Sequence, residues 1–278
     1  MAAIPTKVLP KDLLDKIKRT RPVYNLARRV RFAVGERLGA RPVEGLTGRV
    51  HYNDFMLTSA EPKKVASYRD GATQFVDILE RSVTEAGRSW DSLEAVMEVG
   101  CGYGRIVREL VKRLPPSRIF VSDVIDGGAR FTAAEFGVQK VPPIERAELK
   151  SKFDLIYLLS VYTHLRRDMV VSNLRGVAAA LKPGGVAVIT IHGQGSAETA
   201  ERYEQYWLDK TRLLPALAHD GYYYERYPYY YDEYGLTWFT RDAFEKLVSE
   251  TAPELSLVAY HAMDVDAHQD IFVYRKTT

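Results

Sequence analysis

A chain of 278 residues, 46% of them apolar, can bury a substantial core, and one catalytic domain with attached extras suits it better than two equal domains. A single cysteine, Cys101, excludes an intramolecular disulfide framework and any zinc cluster built on cysteines. No apolar run approaches the roughly 20 residues needed to span a bilayer, and the start Met1-Ala2-Ala3-Ile4-Pro5 lacks the charged and apolar regions of a signal peptide, so a cytoplasmic location is the expectation.

The net charge of +3 conceals an asymmetry. Lys7, Lys11, Lys16, Lys18, Arg19, Arg21, Arg28, Arg29, Arg31, Arg37 and Arg41 are set against only Asp12, Asp15 and Glu36. Leu13, Leu14, Ile17, Leu26, Val30, Phe32, Val34 and Leu38 are spaced loosely like helix faces, with Pro22 interrupting and Gly39 then Pro42 closing the stretch. Residues 1–63 therefore read as a basic N-terminal helical arm, either a solvated face or one that meets an anionic membrane, nucleic acid or substrate. His51-Tyr52-Asn53-Asp54 gathers metal-capable side chains, but adjacent residues rarely converge on one ion, and no metal is expected there.

A second helical pattern runs from Lys64 to Ala86 through Val65, Phe75, Val76, Ile78 and Leu79, with Gly71 marking a break. After Trp90, short apolar runs alternate with amphipathic segments, the pattern of an α/β domain with a largely parallel sheet. Strands are predicted over Ala95–Val99, Arg118–Ser122, Val138–Val141, Leu155–Ser160, Val186–Ile191, Leu257–Ala262 and Ile271–Tyr274. Helices are clearest over Ile106–Leu114, Asp168–Leu181 and Arg241–Thr251, the last capped by Thr240. Lys182-Pro183-Gly184-Gly185 is a turn that stops one helix and launches the next strand. Between the fifth and sixth strands lies an insertion, residues 196–236, crowded with Tyr222, Tyr223, Tyr224, Tyr227, Tyr229, Tyr230, Tyr231 and Tyr234.

The chemistry is concentrated where the strand Val96-Met97-Glu98-Val99 runs into Gly100-Cys101-Gly102-Tyr103-Gly104 and then a helix near Arg105. Glycines at alternate positions let backbone approach a ligand closely. A triphosphate-binding loop needs Gly-Lys-Ser/Thr at its end, which is missing. A dinucleotide fingerprint needs a third glycine three positions after the second, where Arg105 stands. Glu98 also argues against a pyrophosphate and suits a ligand carrying a cationic ammonium and sulfonium. A strand-end carboxylate about 20 residues past the loop, Asp123, is the physical expectation for a group gripping a ribose, with Asp126 as the alternative.

Val96 to Arg105 resembles the first motif of class I S-adenosylmethionine-dependent methyltransferases, and four further stretches agree in order and spacing: Ser122-Asp123; Phe153 to Leu165, which resembles the fourth-strand motif of the small-molecule and glycan-modifying branch; Leu181-Lys182-Pro183-Gly184-Gly185; and Gln269 to Lys276. The resemblance implies a Rossmann-like fold with a seven-stranded, mostly parallel sheet whose last strand is antiparallel, occupying residues 64–278, with S-adenosylmethionine as cofactor. It implies cofactor contacts from Tyr68, Glu98, Val99, Gly100, Cys101, Gly102, Gly104, Arg105, Asp123, Val124, Ser160 and Val161. The third strand departs from the family pattern, since Pro142-Pro143-Ile144-Glu145 stands where an acid and a small residue often mark the adenine pocket.

Methyl transfer from a sulfonium is an in-line displacement, so alignment does most of the work. A hydroxyl acceptor also needs a base, which points first to histidine. His164 follows strand four and His192 strand five on the rim where open α/β sheets place ligands; His164 is the first choice, against the alternative that it packs beneath the cofactor or caps a helix, and His192 could equally be a turn residue. Tyr162 and His164 are expected beside the acceptor, and Tyr223 and Tyr230 represent the tyrosine-rich insertion as a substrate cap, since tyrosine rings suit sugars and aromatic acceptors. The leading expectation is O-methylation of a small-molecule or glycan hydroxyl. The alternatives are a methyltransferase for lipid-linked or anionic acceptors, peripheral at the inner membrane face, and a cofactor-binding nucleic-acid or partner-binding module. Among the basic residues from Lys7 to Arg41, Tyr24 and Phe32 are the only interleaved aromatics, which argues against nucleic acid.

Overall fold

The computed structural model describes residues 20–200, 209–227 and 234–277. Its elements in chain order are α1 (Arg21–Leu38), β1 (Ala40–Pro42), β2 (Arg49–His51), α2 (Pro62–Glu85), β3 (Val96–Val99), α3 (Val107–Leu110), β4 (Ile119–Ser122), α4 (Asp126–Phe136), β5 (Gln139–Lys140), β6 (Phe153–Leu158), α5 (Arg167–Ala180), β7 (Leu181–Ile191), α6 (Gln194–Glu198), α7 (Lys210–Asp220), β8 (Tyr222–Arg226), β9 (Gly235–Phe239), α8 (Arg241–Thr251), β10 (Leu255–Val265) and β11 (Gln269–Lys276).

Seven strands form one sheet in the order β10-β11-β7-β6-β3-β4-β5. The five strands from β7 to β5 are parallel to their neighbours, whereas β11 pairs antiparallel with both β7 and β10. All seven predicted strands are present, and the fold is the Rossmann-like one expected. The strands β3, β4 and β6 are buried along their whole length because helices cover both faces of the sheet, which is why each is largely apolar apart from Glu98, Ser122 and Asp154. Alternate residues sort to two cores. Val96, Leu155, Val186 and Ile271 face Phe75, Leu79, Val107 and Leu110; Met97, Ile156, Ala187 and Phe272 face Leu174, Val177, Phe244 and Leu247.

Several sequence expectations are corrected. Gly71 does not break α2, which runs unbroken for 24 residues; the Arg105 guanidinium crosses at Gly71, where a Cβ has no room. Pro22 does not interrupt α1 but sits in its first turn, where a missing N–H costs nothing. Lys182-Pro183-Gly184-Gly185 lies inside β7: Leu181 already pairs with Phe153, and the ladder resumes at Leu155 and Val186 after an irregularity. Residues 40–51 form an antiparallel hairpin that the helical reading of the arm overlooked, with Val43 and Val50 packed on Val65 of α2.

The insertion contains a second hairpin, β8 with β9, which continues to Phe239, beyond the expected boundary at 236. It has a core of its own, made by Leu213, Leu217, Tyr223, Tyr227, Leu236 and Trp238. Main-chain hydrogen bonds dock β9 on the sheet: Gly235 N donates to His164 O at 3.1 Å, Thr237 N to Thr163 O at 2.9 Å, and Phe239 N to His192 O at 3.0 Å. Thr240 caps α8, accepting from Ala243 N at 3.3 Å, as its position predicts.

Candidate active site at the carboxyl edge of the sheet

The connection leaving β3 runs toward β4 and β5 on one side, while β6 lies on the other, so the strand order reverses between β3 and β6. Open α/β sheets bind ligands in the crevice at such a switch point, outside the carboxyl ends of the strands. Here that crevice is walled by the glycine loop after β3, by Asp123 after β4 and by Ser160 to His164 after β6.

The three loop glycines all have positive φ, at 82°, 51° and 81° for Gly100, Gly102 and Gly104. Space as well as torsion demands two of them. A Cβ on Gly100 would lie 2.6 Å from Val161 Cγ2, and one on Gly104 would lie 2.8 Å from Phe136. Gly102 differs, because nothing lies within 4 Å of where its Cβ would be, so the Cα side of the loop is open there, while its carbonyl accepts from Thr132 Oγ1 at 3.3 Å. The loop is tied to the next strand by Gly100 N donating to Ser122 O at 2.8 Å. Gly128 at the start of α4 presses on the Gly102 carbonyl, a Cβ there being 2.5 Å from that oxygen.

Asp123 accepts from Gly102 N and Ile125 N, both at 2.7 Å, one on each carboxylate oxygen. Each oxygen retains a lone pair for a further donor. Burial raises its pKa against the lowering effect of the two N–H groups. Val124, next in sequence, is 95% exposed, an apolar side chain standing in the open beside that carboxylate. Glu98 is buried and accepts from Tyr157 Oη at 3.0 Å. Burial pushes its carboxyl up to about 8, opposed by the tyrosine hydrogen bond and reinforced by Asp123. Without a ligand, Glu98 therefore holds a proton at neutral pH, and a cation placed beside it favours release of that proton.

Val99 is buried, as is Cys101, whose thiol is pushed up by burial and by the Glu98 and Asp123 carboxylates. Arg105 and Tyr68 are joined to each other. The Arg105 Nε donates to the Tyr68 carbonyl at 3.1 Å, its guanidinium lies 5.5 Å over the Tyr68 ring, and the Tyr68 hydroxyl donates to Asp54 at 2.7 Å. Both fasten the loop to α2.

Side chains for which no cofactor role is expected from the sequence complete this wall. Tyr103 is buried and stacks on His51 with centroids 4.6 Å apart, and its hydroxyl donates to Glu36 of α1 at 3.4 Å. The local hint was an aromatic residue between two loop glycines. His51 and Glu36 could not be found that way, because they come from the arm.

On the β6 side, Ser160 sits at φ 56°, an uncommon conformation for a residue with a side chain. It is held by two hydrogen bonds whose partners are themselves linked: its N–H donates to Thr190 Oγ1 at 2.9 Å, its Oγ accepts from Gln269 Nε2 at 2.7 Å, and Thr190 donates to Gln269 Oε1 at 2.7 Å. This turn brings Val161 against Gly100. Tyr162, expected beside the acceptor, is instead fully buried, with its hydroxyl donating to Asn173 at 2.9 Å; an apolar core position claimed it.

His164 is partly exposed, and its Nδ1 lies 2.8 Å from the Gly235 carbonyl. His192 is buried, with Nδ1 3.1 Å from the Thr237 carbonyl. Because a carbonyl only accepts, Nδ1 carries the proton in each ring and Nε2 is the basic nitrogen. Burial lowers both pKa values, that of His192 further because His268 and His164 are its neighbours. The His164 ring stacks on Tyr234 at 4.8 Å and stands 6.4 Å from His192, and Tyr227 Oη lies 3.4 Å from its Nδ1. Tyr223 is buried in the hairpin core with its ring 6.2 Å from that of Trp238, and it donates to Glu225. Tyr230 lies outside the described residues.

A family model described as a methyltransferase domain matches residues 97–187, which run from β3 into β7. Among curated proteins, none matches by sequence. Solved structures match the fold. A S-adenosylmethionine-dependent methyltransferase from Clostridium acetobutylicum superposes with a TM-score of 0.54 at 14% identity, covering 82% of this chain and 99% of that one. The 1,6-didemethyltoxoflavin-N1-methyltransferase of Burkholderia thailandensis, solved with S-adenosylhomocysteine bound, gives 0.52 at 15% identity over 86% of this chain and 100% of its own. Residues 97–187 thus match a methyltransferase domain, and the chain as a whole has the fold of these S-adenosylmethionine-dependent methyltransferases, with a strand-order switch point and a three-glycine loop at the carboxyl edge of its sheet.

Proposed function

We propose that the protein methylates a hydroxyl group on a small molecule or glycan, with His164 as the general base. The observation that carries this reading is the 2.8 Å contact of His164 Nδ1 with the Gly235 carbonyl. It fixes the tautomer in which Nε2 accepts a proton, on the rim where acceptor and cofactor meet.

The residues proposed to hold the cofactor fit its chemistry. Gly102 offers an open Cα side, Glu98 a buried carboxyl for a cationic amino-acid tail, Asp123 two remaining lone pairs for ribose hydroxyls, and Val124 an exposed apolar surface for a flat base. When bound, the cofactor supplies a methyl group already activated by a sulfonium, so the protein's task is alignment and proton removal. Val161, held against Gly100, and the Ser160 turn fix the floor of the crevice. His164 Nε2 would take the acceptor hydroxyl's proton, and the cofactor would supply the methyl group, its carbon–sulfur bond breaking as the carbon–oxygen bond forms. Burial keeps the ring neutral at physiological pH, so it begins the reaction as a base. His192, with Nε2 also unprotonated, stands behind His164 and supports its orientation, and the tyrosine-bearing hairpin closes over the acceptor as a cap.

The test is the pH profile of labelled-methyl transfer from S-adenosylmethionine into cell extract. Substituting His164→Ala should lower kcat by about 10²- to 10⁴-fold, the usual contribution of a general base, and remove the acidic limb of the wild-type profile while cofactor affinity is retained. A variant that keeps the wild-type profile overturns the assignment. An acceptor methylated on carbon or nitrogen overturns the hydroxyl.

A further inference from the structure

Helix α1 is amphipathic in the opposite sense to a helix that serves a core. Val23, Leu26, Val30, Val34 and Leu38 recur at intervals of three and four and so share one face. These five are 47, 64, 55, 42 and 54% exposed. The opposite side of the helix, which carries Glu36 and Gly35 together with half-buried Tyr24 and Phe32, is the one that meets the body of the protein. Glu36 accepts from Asn53 Nδ2 at 3.0 Å and from the Tyr103 hydroxyl, the Phe32 carbonyl accepts from Asn53 at 3.1 Å, and Gly35 is pressed against Asn53. Surface helices of globular domains do the reverse and turn the apolar stripe to the core.

The charges complete the pattern. Arg29 and Arg31 lie along the margins of the stripe and Arg37 near its end; all three are exposed and without an acidic partner among the described residues. The helix's one carboxylate, Glu36, is engaged with Asn53 and Tyr103. The stripe therefore presents leucine and valine between arginines over about 27 Å, the length of 18 helical residues.

The geometry points to an anionic lipid surface as the occupant of this face, with α1 lying in the plane of the membrane boundary. Apolar side chains flanked by arginine match acyl chains beneath acidic headgroups. The other occupants fit less well. Two copies of α1 placed face to face bring like-charged arginine margins together. Residues 1–19 carry Lys7, Lys11, Lys16, Lys18 and Arg19 against Asp12 and Asp15, so they too are cationic. No described helix is long and apolar enough to cross a membrane, so the contact is peripheral. It also abuts both halves of the site, because Glu36 reaches Tyr103 at the cofactor loop and Tyr24 packs on the core of the cap hairpin. The inference stands apart from the role of His164.

Flotation of the full chain tests it, with vesicles of phosphatidylcholine alone and of phosphatidylcholine mixed with phosphatidylglycerol. The protein should float with the anionic vesicles and partition at least about tenfold less onto neutral ones, with salt weakening the contact. The double variant Leu26→Asp/Val30→Asp should reduce flotation about tenfold or more while its melting temperature and its calorimetric titration with S-adenosylmethionine match wild type. The variant Arg29→Gln/Arg31→Gln, whose apolar stripe is intact, should lose the preference for anionic vesicles. Three results overturn the proposal: wild type that never floats, a Leu26→Asp/Val30→Asp protein that floats as well as wild type, or a wild-type dimer in light scattering that this substitution dissolves without any vesicle binding.

Discussion

The two sides of the crevice are built by different means. The wall at β3 and β4 is local: Glu98 to Gly104 is one uninterrupted stretch, and Asp123 closes it through hydrogen bonds to main-chain N–H groups. The wall at β6 and β7 is assembled from afar, where His164 meets Gly235, Tyr227 and Tyr234, and His192 meets Thr237, Trp238 and His268. One wall depends on what the backbone can do at particular torsions. The other depends on which side chains the folded chain brings together. A generic cofactor needs only the first, whereas recognition of an acceptor needs the second.

If that contrast holds, damage to backbone freedom at the loop has the largest effect. Gly100→Ala places a Cβ 2.6 Å from Val161 at a φ of 82°, a conformation that costs an L-residue roughly 1–2 kcal/mol before the clash is counted. Affinity for S-adenosylmethionine should fall at least about 100-fold in calorimetry, the loss of close backbone approach to the ligand. Adding Val161→Ala should recover about tenfold of it, since that removes the clash but not the torsional cost. Failure of the second substitution to recover anything would mean that the loop and β6 walls are not in register.

A smaller effect follows from the proton on Glu98. Because its carboxyl titrates near 8 in the ligand-free protein, a cation binding beside it expels that proton. The affinity for S-adenosylmethionine should then rise by up to about tenfold per pH unit between pH 6 and 8, and titrations in buffers of different ionisation enthalpy should report proton release. Stability runs the other way. A folded-state pKa raised above the unfolded value gives stability that is full below about 4.5 and declines as pH rises through 8. Glu98→Gln should therefore raise the melting temperature of the ligand-free protein at pH 8 to 9 while abolishing the pH dependence of binding. A variant that melts lower than wild type there would show that the ionised carboxyl is better solvated than its burial implies.

The smallest effect belongs to Tyr162, whose burial beside Asn173 removes it from the acceptor. Tyr162→Phe should cost about 1–2 kcal/mol in urea denaturation, the result of leaving a buried acceptor unpaired, and leave KM unchanged. A raised KM would return it to the site.

The same division explains how much could be read in advance. The sheet was legible because strands covered on both faces are largely apolar, and the loop because glycines at alternate positions have few uses at a strand end. Gly71 was misread as a break because a glycine in a helix is ambiguous until its neighbour, here Arg105, is known. The β1–β2 and β8–β9 hairpins were missed because one is three residues a side and the other carries tyrosines on both faces, so neither shows an alternating pattern. Nothing near His51 or Glu36 in sequence announces a partner in Tyr103, since that contact spans the arm and the loop. Tyr162 is expected at the acceptor from its position after the fourth strand alone, but consecutive residues after a strand can point to opposite layers.

The manner in which the cap is attached bears on how such an enzyme changes over time. Gly235, Thr237 and Phe239 are joined to the sheet through main-chain amides and the carbonyls of His164, Thr163 and His192, and amides are the same whatever side chain they carry. If the hairpin serves as the proposed cap, its rings can be exchanged without detaching the hairpin that bears them. Selectivity can thus drift through single substitutions on a fixed mount, leaving inheritance of the cofactor machinery undisturbed.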